Sequence, residues 1–356
     1  MSAAAIDHPF FTKLVGDEEA AALFSVEAEV DALLRFELAL ARAESRHGII
    51  PAEAVPAIEA ALNGFTPDVE AIATGLGNDG VVIPALLKQL RAKLSDDLRP
   101  HLHFGATSQD AIDTALALRL AKAIVLLDER LEQVINALDA LEDRDGAVEV
   151  MGHTRMQAAI PVAARRKIRS WSDPLLRDRA RLKAVGTDVE VLHLGGAAGT
   201  LEKFDGKGNL VAADMAAELK LRPVDQPRHT ERDGIAAFAS VLSLITGSLG
   251  KFGQDVALMA QNEVGEINLA TGGGSSAMPH KKNPVPAEVL VTLARFNATL
   301  LSGMHHSVVH ENERSGAAWT LEWMLLPQMV VATAAALRLA SNLAQNISFN
   351  GVNRSV

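Results

Sequence analysis

The sequence contains no cysteine, which removes disulfides, thiol nucleophiles and cysteine-ligated zinc or iron–sulfur centres together. Aromatic residues make up only 4% of the chain and its formal net charge is -10. With no extended basic block, it lacks the positive surface that nucleic-acid binding requires. That balance does not exclude an anionic substrate, because a few cations gathered in one cleft outweigh a diffuse acidic surface locally. No run approaches roughly twenty uninterrupted apolar residues, so no membrane span is expected. The chain opens with Asp7 soon after a short alanine run and without basic residues, which is not a secretory pattern, and a cytoplasmic location is expected. Strand signals are thin; the best is 189–193, just before Gly195-Gly196.

What the chain does have is helical periodicity. Its 356 residues, 48% hydrophobic and 22% charged, suffice for a large core and roughly one to three domains. Over 1–105 the pattern predicts a smaller N-terminal helical domain. Val26, Val30, Leu33, Leu34, Leu38 and Ala41 share one helical face that ends at His47-Gly48. A second run begins at Pro51 or Ala52, a turn-rich break follows at 75–80, another helix covers 84–94, and 99–105 leads out of the domain. Over 106–356 the pattern predicts a central bundle of about five long helices. One runs over 110–141, with Leu116, Leu120, Ala123, Leu127, Leu131, Val134, Leu138 and Leu141 in its stripe. A second covers 161–185. In the third, Ile235, Phe238, Leu242, Ile245, Leu249, Phe252, Val256 and Met259 form a heptad seam, about 37 Å long at 1.5 Å per residue. Two more are expected over 285–306 and 319–344. The fold class is therefore all-α. Seams this long exceed what one short bundle buries, so helices of several subunits are expected to pack together.

Three stretches carry polar chemistry. In Gly272-Gly273-Gly274-Ser275-Ser276-Ala277-Met278-Pro279-His280-Lys281-Lys282-Asn283-Pro284, glycines precede hydroxyls and cations, which suits a lid over an anion. In His101-Leu102-His103-Phe104-Gly105-Ala106-Thr107-Ser108-Gln109-Asp110, a helix start with Thr107 and Ser108 hydroxyls offers a carboxylate cradle, or simply an N-cap at Ser108 or Asp110. His101 and His103 form an H-x-H without an evident third ligand, so no metal is expected. The third stretch is Gly152-His153-Thr154-Arg155-Met156-Gln157-Ala158-Ala159-Ile160-Pro161. Arg232 and Arg314 stand at two further helix starts, where they could face an anion. His305, His306 and His310 read as a solvated helix end.

The glycine-rich stretch resembles the signature loop of the fumarase/aspartase superfamily, GSSxMPxKxNP, over 274–284. The cluster over 101–110 resembles that superfamily's HxGxTSxD region, as found in its adenylosuccinate-lyase and carboxymuconate-cycloisomerase branches. The cluster over 152–161 resembles its G-x-T-H-x-Q-x-A-x-P region, with one departure. Arg155 occupies the place of the histidine that protonates the leaving group in most of the lyases. Gly77-Asn78 with Ile83-Pro84, the stretch 229–233 and Glu313-Arg314-Ser315 favour the cycloisomerase branch. Members continue into a small C-terminal helical domain, which a chain stopping at Val356 is expected to lack.

The resemblance implies a homotetramer with shared active sites that acts on a small di- or tricarboxylate without metal or organic cofactor. It implies Ser275 as the proton-transfer residue with Ser276 beside it, and Lys281 and Asn283 holding an aci-carboxylate. Thr107, Ser108, Gln157 and Arg314 would hold the remaining carboxylates, with His103 and Arg232 also facing substrate. Glu288 falls where the family has the carboxylate that partners the missing histidine, so an Arg155–Glu288 ion pair is expected. The implied reaction is lactonisation of a 3-substituted anionic muconate. The alternatives are an argininosuccinate- or adenylosuccinate-type lyase and a non-catalytic protein on the same fold, as known in lens.

Overall fold

Chain segments whose apolar residues recur every three and four positions can hide them only by packing stripe against stripe, and the long helices do so here. The structure, a computed structural model, describes residue 6, residues 8–270, residue 273 and residues 282–351. Its helices are α1 (Thr12–Val15), α2 (Glu18–Ala22), α3 (Val26–Arg46), α4 (Ala54–Leu62), α5 (Val69–Asp79), α6 (Ile83–Arg91), α7 (Ser108–Asp145), α8 (Ala164–Val189), α9 (Gly208–Leu219), α10 (Asp233–Met259), α11 (Val285–His306) and α12 (Ala317–Gln345). The strands β1 (Glu149–Thr154) and β2 (Gln157–Ala163) form an antiparallel hairpin, and β3 (Ile267–Leu269) pairs with β4 (Ile347–Phe349). The fold is all-α with these short additions, as the periodicity predicts.

Helices α7, α8, α10, α11 and α12 form the bundle and share one apolar core. Every stripe residue expected in α7 is buried, and so is the α10 seam from Phe238 to Met259, with Ile235 packed at its edge. Each fully buried Leu or Phe contributes roughly 1.5–3 kcal/mol relative to exposure. A second core joins α3, α4 and α6 to the first turns of α7, to α9 with Phe204, and to Trp319 of α12. Helix α7 thus threads both cores. The starts of α7, α10 and α12 meet where the cores abut, which is where the polar residues described below collect. By length and composition alone, α10 and α12 could cross a membrane, but 56% and 61% of their most apolar windows are buried in the fold.

Three local expectations are corrected. The 75–80 break is the end of helix α5, closed by Gly80 in the left-handed conformation. Gly75 is retained within that helix for close packing, since an added Cβ there would lie 2.6 Å from Ala85 Cβ of α6. The helix expected from Pro161 begins at Ala164, because Pro161 lies in β2. No strand covers 189–193: Val189 ends α8, and Val191 makes only an isolated bridge to Arg222.

Candidate active site

Residue Thr107 precedes α7 in extended conformation, and its backbone N–H donates to Asp110 Oδ2 at 2.9 Å. The N-cap is therefore Thr107, with Asp110 closing a capping box from the third helical position. Asp110 does more than close the helix. Fully buried, it also accepts from the backbone N–H groups of Gly195 (2.7 Å) and Gly196 (3.0 Å) and from His229 Nε2 (2.6 Å). A carboxylate out of water must be saturated with donors, and Asp110 gathers them from the start of α7, the turn after α8 and the approach to α10. Gly195 is needed there, since a Cβ would lie 2.7 Å from Pro227 Cβ and 2.8 Å from the His229 ring.

Around this anchor the structure brings together several of the expected residues. Thr107 and Ser108 are half-buried at the helix start. Arg314 donates from Nε to Gln109 Oε1 at 2.9 Å and from Nη2 to the Ala197 carbonyl at 3.2 Å, and stays exposed otherwise. Gln109 is buried and donates in turn to Asp113 (3.1 Å) and to the His229 carbonyl (2.8 Å). His103 lies just upstream, its Nδ1 donating to Glu37 Oε1 at 2.7 Å. Hydroxyls at a helix start and a guanidinium together suit a bound carboxylate.

Arg232 departs from expectation. It is 2% exposed and enclosed by Asp113 (2.7 Å) and Glu322 (2.5 Å), with Trp319 Nε1 donating to Asp113 at 3.0 Å. Burial alone would push its guanidinium down, but the two carboxylates carry it above its ordinary value. Its donors are occupied inside the fold, so it holds α7, α10 and α12 together instead of facing a ligand. Removing one member of such a buried set leaves an uncompensated charge, at a cost of about 3–5 kcal/mol. His193, missed at the sequence level, is buried beside this network, its Nδ1 without a partner among the described residues, and desolvation pushes it down to about 4. His310 is not solvated: it is half-buried, and burial and then the Arg232 charge hold it below its ordinary range. His305 and His306 are exposed, as expected.

The remaining expected residues lie at the other end of the bundle, about 40 Å along the 27-residue α10. Arg155 and Met156, with φ of 49° and 66°, form the two-residue turn of the β1–β2 hairpin between the paired Thr154 and Gln157. Two positive φ angles match the hairpin twist but cost free energy in residues other than glycine, asparagine or aspartate. Arg155 and Gln157 are both exposed at this tip. Beneath it, a cavity of about 730 Å³ is lined by Arg155, Arg166, Lys167 and Lys251, with Asp255 among them. Glu266 fastens the hairpin base, accepting from the Met151 N–H at 2.6 Å with Lys167 at 3.8 Å. Gly273 and Asn283 pair backbone to backbone at 3.0 and 2.9 Å, which sets the two ends of the signature stretch side by side. Asn283 is half-buried there, and Glu288 is exposed in the first turn of α11. Ser275, Ser276 and Lys281 lie outside the described residues. The expected Arg155–Glu288 pair does not form within one chain: among the described residues no ion pair joins them.

Sequence reasoning missed Glu37, Asp113, His193 and Glu322. For Glu322 a signal was present, namely a single acid within an otherwise apolar helical run.

Comparison with known proteins gives the family. The sequence matches the Lyase family over residues 16–297. It is 41% identical to the 3-carboxy-cis,cis-muconate cycloisomerase of Pseudomonas aeruginosa over 334 residues, covering 92% of this chain and 72% of that protein. The crystal structure of the 3-carboxy-cis,cis-muconate lactonizing enzyme from Pseudomonas putida superposes with a TM-score of 0.90 at 36% identity, covering 96% of this chain and 78% of that one. A fumarate lyase from Mesorhizobium sp. BNC1 superposes with a TM-score of 0.88 at 31% identity, covering 94% and 76%. With the family model matching residues 16–297, the chain belongs to the Lyase family of the fumarase/aspartase superfamily.

Proposed function

We propose that this protein is a cycloisomerase that lactonises 3-carboxy-cis,cis-muconate, or a close 3-substituted anionic muconate, in aromatic catabolism. The observation that carries this reading is the 41% identity to a curated cycloisomerase across 92% of the chain. One carboxylate of the substrate attacks its own double bond, forming a C–O bond. The displaced π pair moves to the carbon α to the conjugate carboxylate, giving an aci-carboxylate dianion, and a proton then arrives at that carbon. Because the attack is intramolecular, the enzyme has to fold the diene and stabilise the dianion. Lys281 and Asn283 take the dianion in this scheme, and Ser275, with Ser276 beside it, handles the proton. Thr107, Ser108, Gln157 and Arg314 hold the other carboxylates.

Arg155 supports lactonisation over an argininosuccinate- or adenylosuccinate-type elimination. A guanidinium stays protonated at any working pH and cannot serve as a general acid. In the ring-opening direction the leaving group is a carboxylate, whose acid has a pKa near about 4, and it departs without a proton. A departing nitrogen is far more basic and needs one. A fixed positive charge from Arg155, paired with Glu288 across subunits, would instead draw the attacking carboxylate to the double bond.

The candidate groups lie at both ends of the bundle, so a complete site in this scheme takes them from different chains of a cytoplasmic homotetramer. An ultraviolet assay of the purified protein against carboxymuconate, argininosuccinate and adenylosuccinate tests the reading. Loss of the diene absorbance with carboxymuconate alone is the expected result; turnover of either succinyl substrate instead would replace it with the lyase reading.

A further inference from the structure

The candidate site rests on a buried carboxylate from the other core. Glu37 lies in the middle of α3, 1% exposed, and among the described residues its one hydrogen-bond partner is His103 Nδ1, at 2.7 Å. Its second oxygen, Oε2, is buried and has no partner among the described residues. The His103 side chain is 8% exposed, and among the described residues no hydrogen bond engages its Nε2. The His103 backbone is held at φ 63°, an unfavourable conformation for a residue with a side chain, and Phe36 packs its ring 6.3 Å from the imidazole. Three constraints thus fix one ring: a strained backbone, an aromatic wall and a charged acceptor on Nδ1.

We propose that Glu37 is a positioning residue for the candidate site: its carboxylate fixes His103 through Nδ1 and presents Nε2–H near the start of α7 as a donor to a substrate carboxylate. This deepens the cycloisomerase reading and rests on it.

The charges around the ring agree. Glu37 of α3 and Asp110 of α7 face it, with Arg91 of α6 opposing them. Burial favours the neutral imidazole, but the two carboxylates outweigh it together with the Nδ1 hydrogen bond, and His103 is held above its ordinary range. Glu44, two helical turns along α3 from Glu37, is itself pushed up to about 9 by burial and by Glu37. It stays neutral at working pH, which leaves Glu37 as the α3 counter-charge. A cationic Nε2–H adds charge attraction to its hydrogen bond with a carboxylate, which a neutral imidazole does not.

The test uses the full-length Glu37→Gln protein, whose amide oxygen can still accept from Nδ1–H while the charge is gone. Two readouts are followed in parallel: the ¹⁵N shift titration of the His103 ring, assigned by its loss in His103→Gln, and the pH dependence of kcat and KM for carboxymuconate. His103 should titrate about one unit or more lower in Glu37→Gln. Since the cation is needed and is lost as pH rises through the ring's titration, KM of Glu37→Gln should begin to rise at a lower pH than KM of the unmodified protein, by the same interval as the ring titration moves, reach about tenfold between the two titrations, and leave kcat nearly unchanged. An unmoved titration would overturn the proposal, as would a lowered titration with KM unaffected at every pH. If the unmodified protein does not turn over carboxymuconate, the cycloisomerase reading fails and takes the donor role with it. The ring titration would then decide only whether Glu37 sets the His103 charge.

Discussion

Replacing Glu44 by glutamine should flatten the alkaline side of the stability profile. Glu44 is fully buried in the N-terminal core, and among the described residues neither carboxylate oxygen has a hydrogen-bond partner. Desolvation, and then the neighbouring Glu37, push its pKa from 4.5 up to about 9. The unfolded chain releases this proton near 4.5 while the folded chain keeps it. Stability from this group is therefore full at low pH and falls as pH rises from about 4.5 towards 9. Between these limits the slope is about 1.4 kcal/mol per pH unit, or about 2.7 kcal/mol from pH 6 to pH 8. With an unfolding entropy of roughly 2.1 cal/mol/K per residue over 356 residues, that corresponds to about 3–4 °C in Tm. Glutamine has a similar shape and does not titrate, so its variant should lose about 3–4 °C less than the unmodified protein between pH 6 and pH 8. Differential scanning calorimetry of both proteins at matched ionic strength and concentration measures this difference of differences, in which every other titrating group cancels. Equal losses in the two proteins would show that Glu44 is ionised in the fold and that the account of its burial is wrong.

Three further outcomes test the proposed chemistry. Lys281→Met should lower kcat about 10²–10³-fold with a smaller effect on KM, because the dianion exists only near the transition state; an unchanged kcat with a raised KM would make Lys281 a ground-state anchor. Mixing inactive Thr107→Ala and Ser275→Ala proteins, with mild unfolding and reassembly, should restore part of the activity. A fully active monomer in light scattering at assay concentration would contradict shared sites. Arg155→His should weaken muconate turnover without creating activity on argininosuccinate or adenylosuccinate, and intact lactonisation in that variant would remove Arg155 from the mechanism.

The bundle was legible because its signal is local and repeated. Phe238, Leu242, Ile245 and Leu249 fall on one stripe whatever they pack against, and all are buried. The hairpin was not legible. Nearly all of β2 is exposed, so Gln157–Ala163 shows no inside–outside alternation, and its alanines read as helix formers. Gly75 and Gly77 suggested a break in α5, yet Gly75 serves the approach of α6. At the candidate site, Thr107, Ser108 and Arg314 were found through motif spacing and do lie together. Arg232 was misread because its partners Asp113 and Glu322 stand 119 and 90 residues away, a distance across which sequence carries no sign of pairing. Glu37 was hidden for the same reason: its link to His103 spans 66 residues.

The central claim is that a carboxylate adds within one substrate molecule and a single proton then reaches carbon. Proton NMR of carboxymuconate turned over by the purified protein in D₂O tests it most directly. Conversion to a lactone carrying one solvent deuteron on carbon, with no fragment released, is the expected result. Recovery of unchanged carboxymuconate, together with fumarate release from a succinyl substrate, would contradict it.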